Sequence, residues 1–220
     1  ITDKHILLPS ERDGYNHLYL YNLNGQLLRQ IVTDKYVVTS VYGYDEQTGD
    51  SYFAANPNGP MDQQVMVVHA NGKTEILSRK AGVNRAIFSK NFKYFINIWS
   101  DVDHPEQFTI CQNNGKEQVM LIDNQELVRN LSAYDLGKKE FFSFSTSEGV
   151  LLNGWMVKPA DFDPTKKYPT VIYVYGGPHA HNVDARWHYA SRSWETYMAQ
   201  KGYVLFILDN RGSENRGLQF

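Results

Sequence analysis

Residues 16–32 read NHLYLYNLNGQLLRQIV. An alternating apolar run leads into Asn24-Gly25, and a second alternating run leads out. A side-chain period of two marks a strand with one face turned to a core. Asn-Gly between two such runs is the strongest short hairpin signal, because a type I′ turn needs φ > 0 at both central residues. The arrangement returns in QQVMVVHANGKTEILSR (63–79) and in EQFTICQNNGKEQVMLI (106–122). The three turn glycines, Gly25, Gly72 and Gly115, lie 47 and 43 residues apart.

Between these hairpins lie further strand-like pairs. One is YVVTSVYGYD (36–45) with SYFAAN (51–56), and another is RAIFSK (85–90) with KYFINIWS (93–100). About four strands in a period of forty-odd residues is the signature of β-propeller blades. A β-sandwich made of unrelated hairpins is the competing reading. A propeller ring needs roughly four to eight blades. Residues 1–133 therefore read as the last two to three blades of a larger propeller.

Composition shifts near Leu131–Leu136. KEFFSFST (139–146) and VLLNGWMVKP (150–159) form another strand pair around Glu148-Gly149, and ADFDPTKKYP (160–169) is a polar loop. VIYVY (171–175) is a continuous apolar run, of the kind buried on both faces of an α/β sheet. SRSWETYMAQKG (191–202) reads as a helix with Ser191 as its cap and Gly202 as its terminator. Trp194, Tyr197 and Met198 fall at i, i+3 and i+4 and are predicted to face the core. YVLFILDN (203–210) is a second buried strand. Strand, helix and strand at these lengths make a βαβ unit, so residues 134–220 read as the first part of an α/β domain.

Bulk properties narrow the function classes. A net charge of −2 gives no electrostatic pull toward nucleic acid or an anionic membrane. Hydrophobic content of 42% and charged content of 21% fit a soluble globular protein. The apolar run Val204–Leu208 is far too short to span a bilayer. Cys111 is the single cysteine, so no internal disulfide can form. The start, ITDKHILLPS, has neither the charged nor the apolar region of a signal peptide, so the sequence reads either as one from which something has been removed or as an excerpt.

In open α/β sheets, chemistry collects at the carboxyl ends of the strands. Two such ends are visible, Tyr175-Gly176-Gly177-Pro178 and Asp209-Asn210-Arg211-Gly212-Ser213. The first admits three readings. It could be an oxyanion site, in which glycines allow close backbone approach and Tyr175 offers its phenolic O–H to a developing negative charge. His179, His181 and His188 could bind a metal, although no carboxylate or cysteine falls at a known zinc spacing. It could also be a tight turn with solvent-facing histidines. At the second end, RGSENRG (211–217) lacks the spacing of a phosphate loop. Asp209 and Arg211 are expected to make a structural ion pair or hydrogen bonds near the site. No G-x-S-x-G elbow occurs, and none of the seven histidines sits in a convincing triad order after a candidate serine and acid.

YPTVIYVYGGPHAHNV (168–183) and WETYMAQKGYVLFILDNRGSENRG (194–217) together resemble the dipeptidyl peptidase IV group of prolyl oligopeptidase-type serine peptidases. The resemblance is carried by YGGPHA followed some thirty residues later by DNRGS, over roughly 134–220, and by architecture before that. It implies a multi-domain fragment, with C-terminal β-propeller blades followed by the start of an α/β-hydrolase domain. It implies that Tyr175 is the oxyanion-hole tyrosine, with Gly176, Gly177 and Pro178 as its supporting loop. The family's serine, aspartate and histidine would lie beyond Phe220, and the glutamates that anchor a substrate's amino terminus would lie before Ile1. Asp45-Glu46 sits in a hairpin turn and does not fill that role. The implied activity is release of X-Pro or X-Ala dipeptides from peptides, with no metal or organic cofactor and no nucleic acid. A homodimer of the parent and an exported or envelope location (periplasmic or secreted) are implied too, with a cytoplasmic one left open. An acylaminoacyl- or prolyl endopeptidase of the same superfamily, or a non-catalytic propeller binding protein, are the rivals.

Overall fold

The computed structural model describes residues 1–177, 179–187 and 193–220. Two compact units emerge. One comprises Ile1–Asp101, Glu106–Asp123 and Asn215–Phe220; the other comprises Val102–Pro105 and Asn124–Glu214.

The first unit holds three antiparallel sheets. The strands β1 (His5–Ser10), β2 (His17–Asn22) and β3 (Leu27–Gln30) form the first, in sequence order. The second contains β4 (Val38–Asp45), β5 (Asp50–Ala55), β6 (Gln64–Val68) and β7 (Thr74–Ile76), again in order. The third contains β8 (Val83–Phe88), β9 (Tyr94–Ser100), β10 (Gln107–Gln112) and β11 (Glu117–Ile122). Asn-Gly turns close β2–β3, β6–β7 and β10–β11 as predicted, but they are not type I′. Asn24, Asn71 and Asn114 lack positive φ, and the N–H of Gly25, Gly72 and Gly115 bonds the carbonyl three residues back, of Asn22, His69 and Gln112. Gly25, Gly72 and Gly115 have φ of 80°, 87° and 78°, a left-handed conformation that costs glycine nothing.

Strand alternation explains how the sheets pack. Phe53, Ala55, Met66 and Val68 of the second sheet join Leu18 and Leu20 of the first in one buried cluster. The intervening residues Tyr52, Val65 and Val67 point the other way and join Ala86, Phe95 and Cys111 of the third sheet. A sheet buried on both faces by its sequence neighbours is how adjacent blades stack. A Cβ on Gly115 would lie 2.3 Å from the Leu77 carbonyl oxygen, so this turn also needs a glycine for space.

The second unit begins with α1 (Gln125–Leu131). Its sheet is mixed and runs β12–β13–β15–β14, from β12 (Lys139–Ser145), β13 (Leu151–Val157), β14 (Thr170–Tyr173) and β15 (Val204–Leu208). Strands β14 and β15 are parallel, whereas β13 is antiparallel to both β12 and β15. Two parallel strands need a crossover, and α2 (Ser193–Gln200) lies in it.

Two sequence expectations change here. The run VIYVY (171–175) is not buried on both faces: Ile172 is 64% exposed and Val174 55% exposed. Exposed and half-buried residues alternate along β14, so only one of its faces is covered among the described residues, and the internal strand β15 is less buried on that same open face. The face of α2 also differs. Trp194 and Tyr197 are exposed and Met198 is half-buried, while Glu195 and Ala199 are buried against the unit. Helical periodicity groups side chains on one face but does not say which face meets the sheet. The small Ala199, fully buried, lets α2 approach β15 and β13 closely. Gly202, with φ of 86°, ends the helix as predicted, and Tyr203 N–H returns to the Met198 carbonyl at 3.1 Å. Ser191, read as the helix cap, lies outside the described residues.

Candidate active-site edge

The parallel register pairs Tyr173 with Ile207. Two residues further along each strand, Tyr175 and Asp209 leave the sheet at the same level. The two motifs singled out in the sequence thus emerge from adjacent strand ends. This follows from the parallel pairing, which the two apolar runs alone could not reveal.

Tyr175 is 56% exposed, so its phenol is open to a reactant. Its ring curls back over Gly177: a Cβ there would meet Tyr175 Cε1 at 3.0 Å and the hydroxyl at 3.2 Å. A side chain at position 177 would press on this exposed ring, which would have to give by a few tenths of an ångström. Neither Gly177 nor Gly176 is among the glycines with positive φ. Gly176 faces the Asn210 side chain, whose Oδ1 would lie 3.9 Å from a Cβ at that position. Pro178 and His188 lie outside the described residues.

Asp209 is 5% exposed and hydrogen-bonded throughout. Its Oδ1 accepts the Asn182 N–H at 2.8 Å, and its Oδ2 accepts the Val183 N–H at 3.0 Å. Its own N–H donates to the Asn153 carbonyl at 3.0 Å. His181 Nε2 stands 3.8 Å from Asp209 Oδ2. Arg211 does not share this environment. It is 60% exposed and reaches Glu148 at 3.7 Å. Of the two sequence expectations, Asp209 takes hydrogen bonds and Arg211 takes an ion pair, with different partners.

Other contacts tie the loop after β14 to its surroundings. Buried Trp155 donates its Nε1–H to the Asn182 carbonyl at 3.0 Å. Glu214 N–H donates to the Ala180 carbonyl at 3.1 Å. His179 adopts φ of 59° and places Nδ1 3.3 Å from Glu214 Oε1. The turn after Asp209 is closed by Ser213, whose Oγ donates to the Asn210 carbonyl at 2.7 Å. Trp155 and Asn182 escaped the sequence reading, because nothing local marks a tryptophan in β13 as a partner of a loop 27 residues on.

The site offers one exposed hydroxyl donor held beside a sheet edge. Among the described residues, no three His, Cys, Asp or Glu side chains come together as metal ligands. The sequence motifs and this geometry can be set beside known proteins. The whole chain superposes on the crystal structure of Porphyromonas gingivalis dipeptidyl peptidase 4 with a TM-score of 0.93 and 36% identity, covering 31% of that protein. A family profile described as the dipeptidyl peptidase IV (DPP IV) N-terminal region matches residues 1–106. The chain belongs to the dipeptidyl peptidase IV-like family.

Other members agree. Dipeptidyl peptidase 8 of Mus musculus is 30% identical over 183 residues, which is 80% of this chain and 20% of the relative. Dipeptidyl peptidase 4 of Arthroderma otae is 28% identical over 216 residues, which is 96% of this chain and 28% of the relative. The chain thus spans less than a third of the length of these dipeptidyl peptidases. The antiparallel sheets of the first unit correspond to the family's propeller region.

Proposed function

We propose that this chain contributes the end of the propeller and the start of an α/β-hydrolase domain to a serine exopeptidase. The protein would release N-terminal X-Pro or X-Ala dipeptides through an acyl-enzyme. The observation that carries this reading is the exposed Tyr175 phenol at the end of β14, held over Gly177 in a dipeptidyl peptidase IV-like chain. In acyl transfer the scissile carbonyl oxygen becomes negative as the tetrahedral intermediate forms. A donor already aimed at that position stabilises the transition state more than the ground state. Tyr175 would supply the O–H, and a backbone N–H beside the nucleophile would supply the second bond.

Two measurements on the full-length protein test this. The first compares cleavage of a Gly-Pro chromogenic amide with cleavage of its N-blocked form. Cleavage of the free form alone supports an amino-dipeptidase. Cleavage of the blocked form moves the assignment to an endo- or acylaminoacyl-peptidase. The second is Tyr175→Phe, for which kcat falls by roughly 10²–10³ if one oxyanion donor is lost. An unchanged kcat in a folded variant removes Tyr175 from the role.

A further inference from the structure

We propose that Asp209 is a positioning residue that sets the conformation of the loop carrying Tyr175. This rests on the reading of Tyr175 given above. Strand β15 lies between β13 and β14, with Leu205 and Ile207 fully buried. Its end is thus a rigid base for Asp209. From there the two carboxylate oxygens each take one N–H, from consecutive residues Asn182 and Val183. Consecutive N–H groups that converge on one acid fix the backbone in a single local conformation. The loop is then held at one end by β14, just before Tyr175, and at the other by Asp209.

The remaining contacts act in the same sense. Trp155 holds the Asn182 carbonyl, so the Asn182–Val183 peptide is gripped on both of its polar groups. Glu214, on the turn that begins at Asp209, holds the Ala180 carbonyl. The carboxylate of Asp209 is committed to the loop, since Arg211 reaches Glu148 instead. An asparagine in its place would keep one accepting oxygen and turn an NH₂ toward an N–H. One backbone bond would be lost and replaced by a donor–donor contact, and the loop would shift. A displacement of about 1 Å at a reacting group can cost on the order of 10²-fold in rate.

A buried carboxylate that only stabilised the fold would also weaken the protein when removed. The discriminating test is therefore a double-mutant cycle in the full-length protein, with Gly-Pro chromogenic amide as substrate. If Asp209 acts through Tyr175, Asp209→Asn lowers kcat by roughly 10–10² in the wild-type background, with KM changed less than about 3-fold. In the Tyr175→Phe background the same change lowers kcat by less than about 3-fold, because the donor it positions is gone. Equal losses in both backgrounds overturn the proposal and leave the Tyr175 reading intact. An unchanged kcat for Asp209→Asn also overturns it. An unchanged kcat for Tyr175→Phe defeats the Tyr175 reading and this proposal with it. Should Asp209→Asn fail to fold, Trp155→Phe removes a single donor to the same peptide. Its smaller loss of kcat is likewise expected only when Tyr175 is present, and a loss equal in both backgrounds overturns the proposal.

Discussion

The Asn-Gly hairpins and the Gly-Gly loop after β14 both put glycine at a strand end, for different physical reasons. Gly25 and Gly72 have positive φ and open space around them. Their need is conformational and is satisfied within four residues of chain. Gly177 has no such φ and is crowded by the ring of Tyr175. The constraint there is steric and depends on how a side chain two residues away is placed. Gly115 belongs to both classes, with positive φ and the Leu77 carbonyl against it. Local turn chemistry therefore builds the antiparallel sheets, whereas the loop at the mixed sheet is shaped by contacts from other strands.

The sharpest challenge to this contrast is Trp155→Ala. Trp155 is 1% exposed and bonds the Asn182 carbonyl. Its removal is expected to cost about 3–5 kcal/mol, as for other large buried aromatics. Denaturant unfolding of the full-length protein measures this, and a loss under about 1 kcal/mol would mean that the loop does not depend on distant support.

Gly115→Ala sharpens the comparison within the hairpins. It adds a steric clash to the cost of a left-handed alanine, for a total of about 2–5 kcal/mol. Gly25→Ala meets only the conformational cost, about 1–2 kcal/mol. Equal losses in the two variants would show that the Leu77 contact relaxes freely.

A smaller effect is expected from acid. Buried His17 places Nδ1 2.7 Å from Asp13 Oδ2 and Nε2 2.8 Å from the Asp34 carbonyl. Burial pushes the Asp13 carboxyl up, but hydrogen bonds from His17 and Gln30 outweigh it and hold the group below its ordinary value of 3.8. A depressed acid contributes stability that is present above that ordinary value and is lost as pH falls through the folded one. Asp13→Asn should flatten this part of the pH–stability curve, while leaving the neutral-to-alkaline part unchanged in slope. An unaltered acid limb in the variant would show that the pair contributes nothing.

Cys111 offers the mildest probe. It is 3% exposed, and burial pushes its thiol up to about 11. Iodoacetamide at pH 8 should therefore leave the native protein unlabelled and react only after unfolding. Rapid labelling of the native state would mean that the packing between the second and third sheets opens readily.

Much of the fold was legible because its signals are local. NHLYLYNLNGQLLRQIV carries its own turn and its own alternation, and β2 and β3 form where that pattern predicts. The misread elements are those whose fate depends on neighbours. Ile172 and Val174 look like core residues until only one face of β14 is seen to be covered. Trp194 and Tyr197 share a helix face with Met198, yet Glu195 and Ala199 lie on the face that packs. At the candidate site, the sequence places Tyr175 just after a strand, and the structure leaves it exposed. The contacts of the loop that follows it were not legible, since Asp209, Asn182 and Trp155 are brought together from three separate segments.

By itself the sequence determined the hairpins, their spacing and the two strand ends where chemistry could gather. These depend on backbone preferences and on side-chain periods of a few residues, which any stretch of chain carries with it. Only the tertiary structure decided which strand lies at the edge, which helix face is buried, and that Asp209 grips the loop behind Tyr175. Those outcomes depend on competition among distant groups for the same space and the same hydrogen bonds, and a one-dimensional pattern does not record who wins.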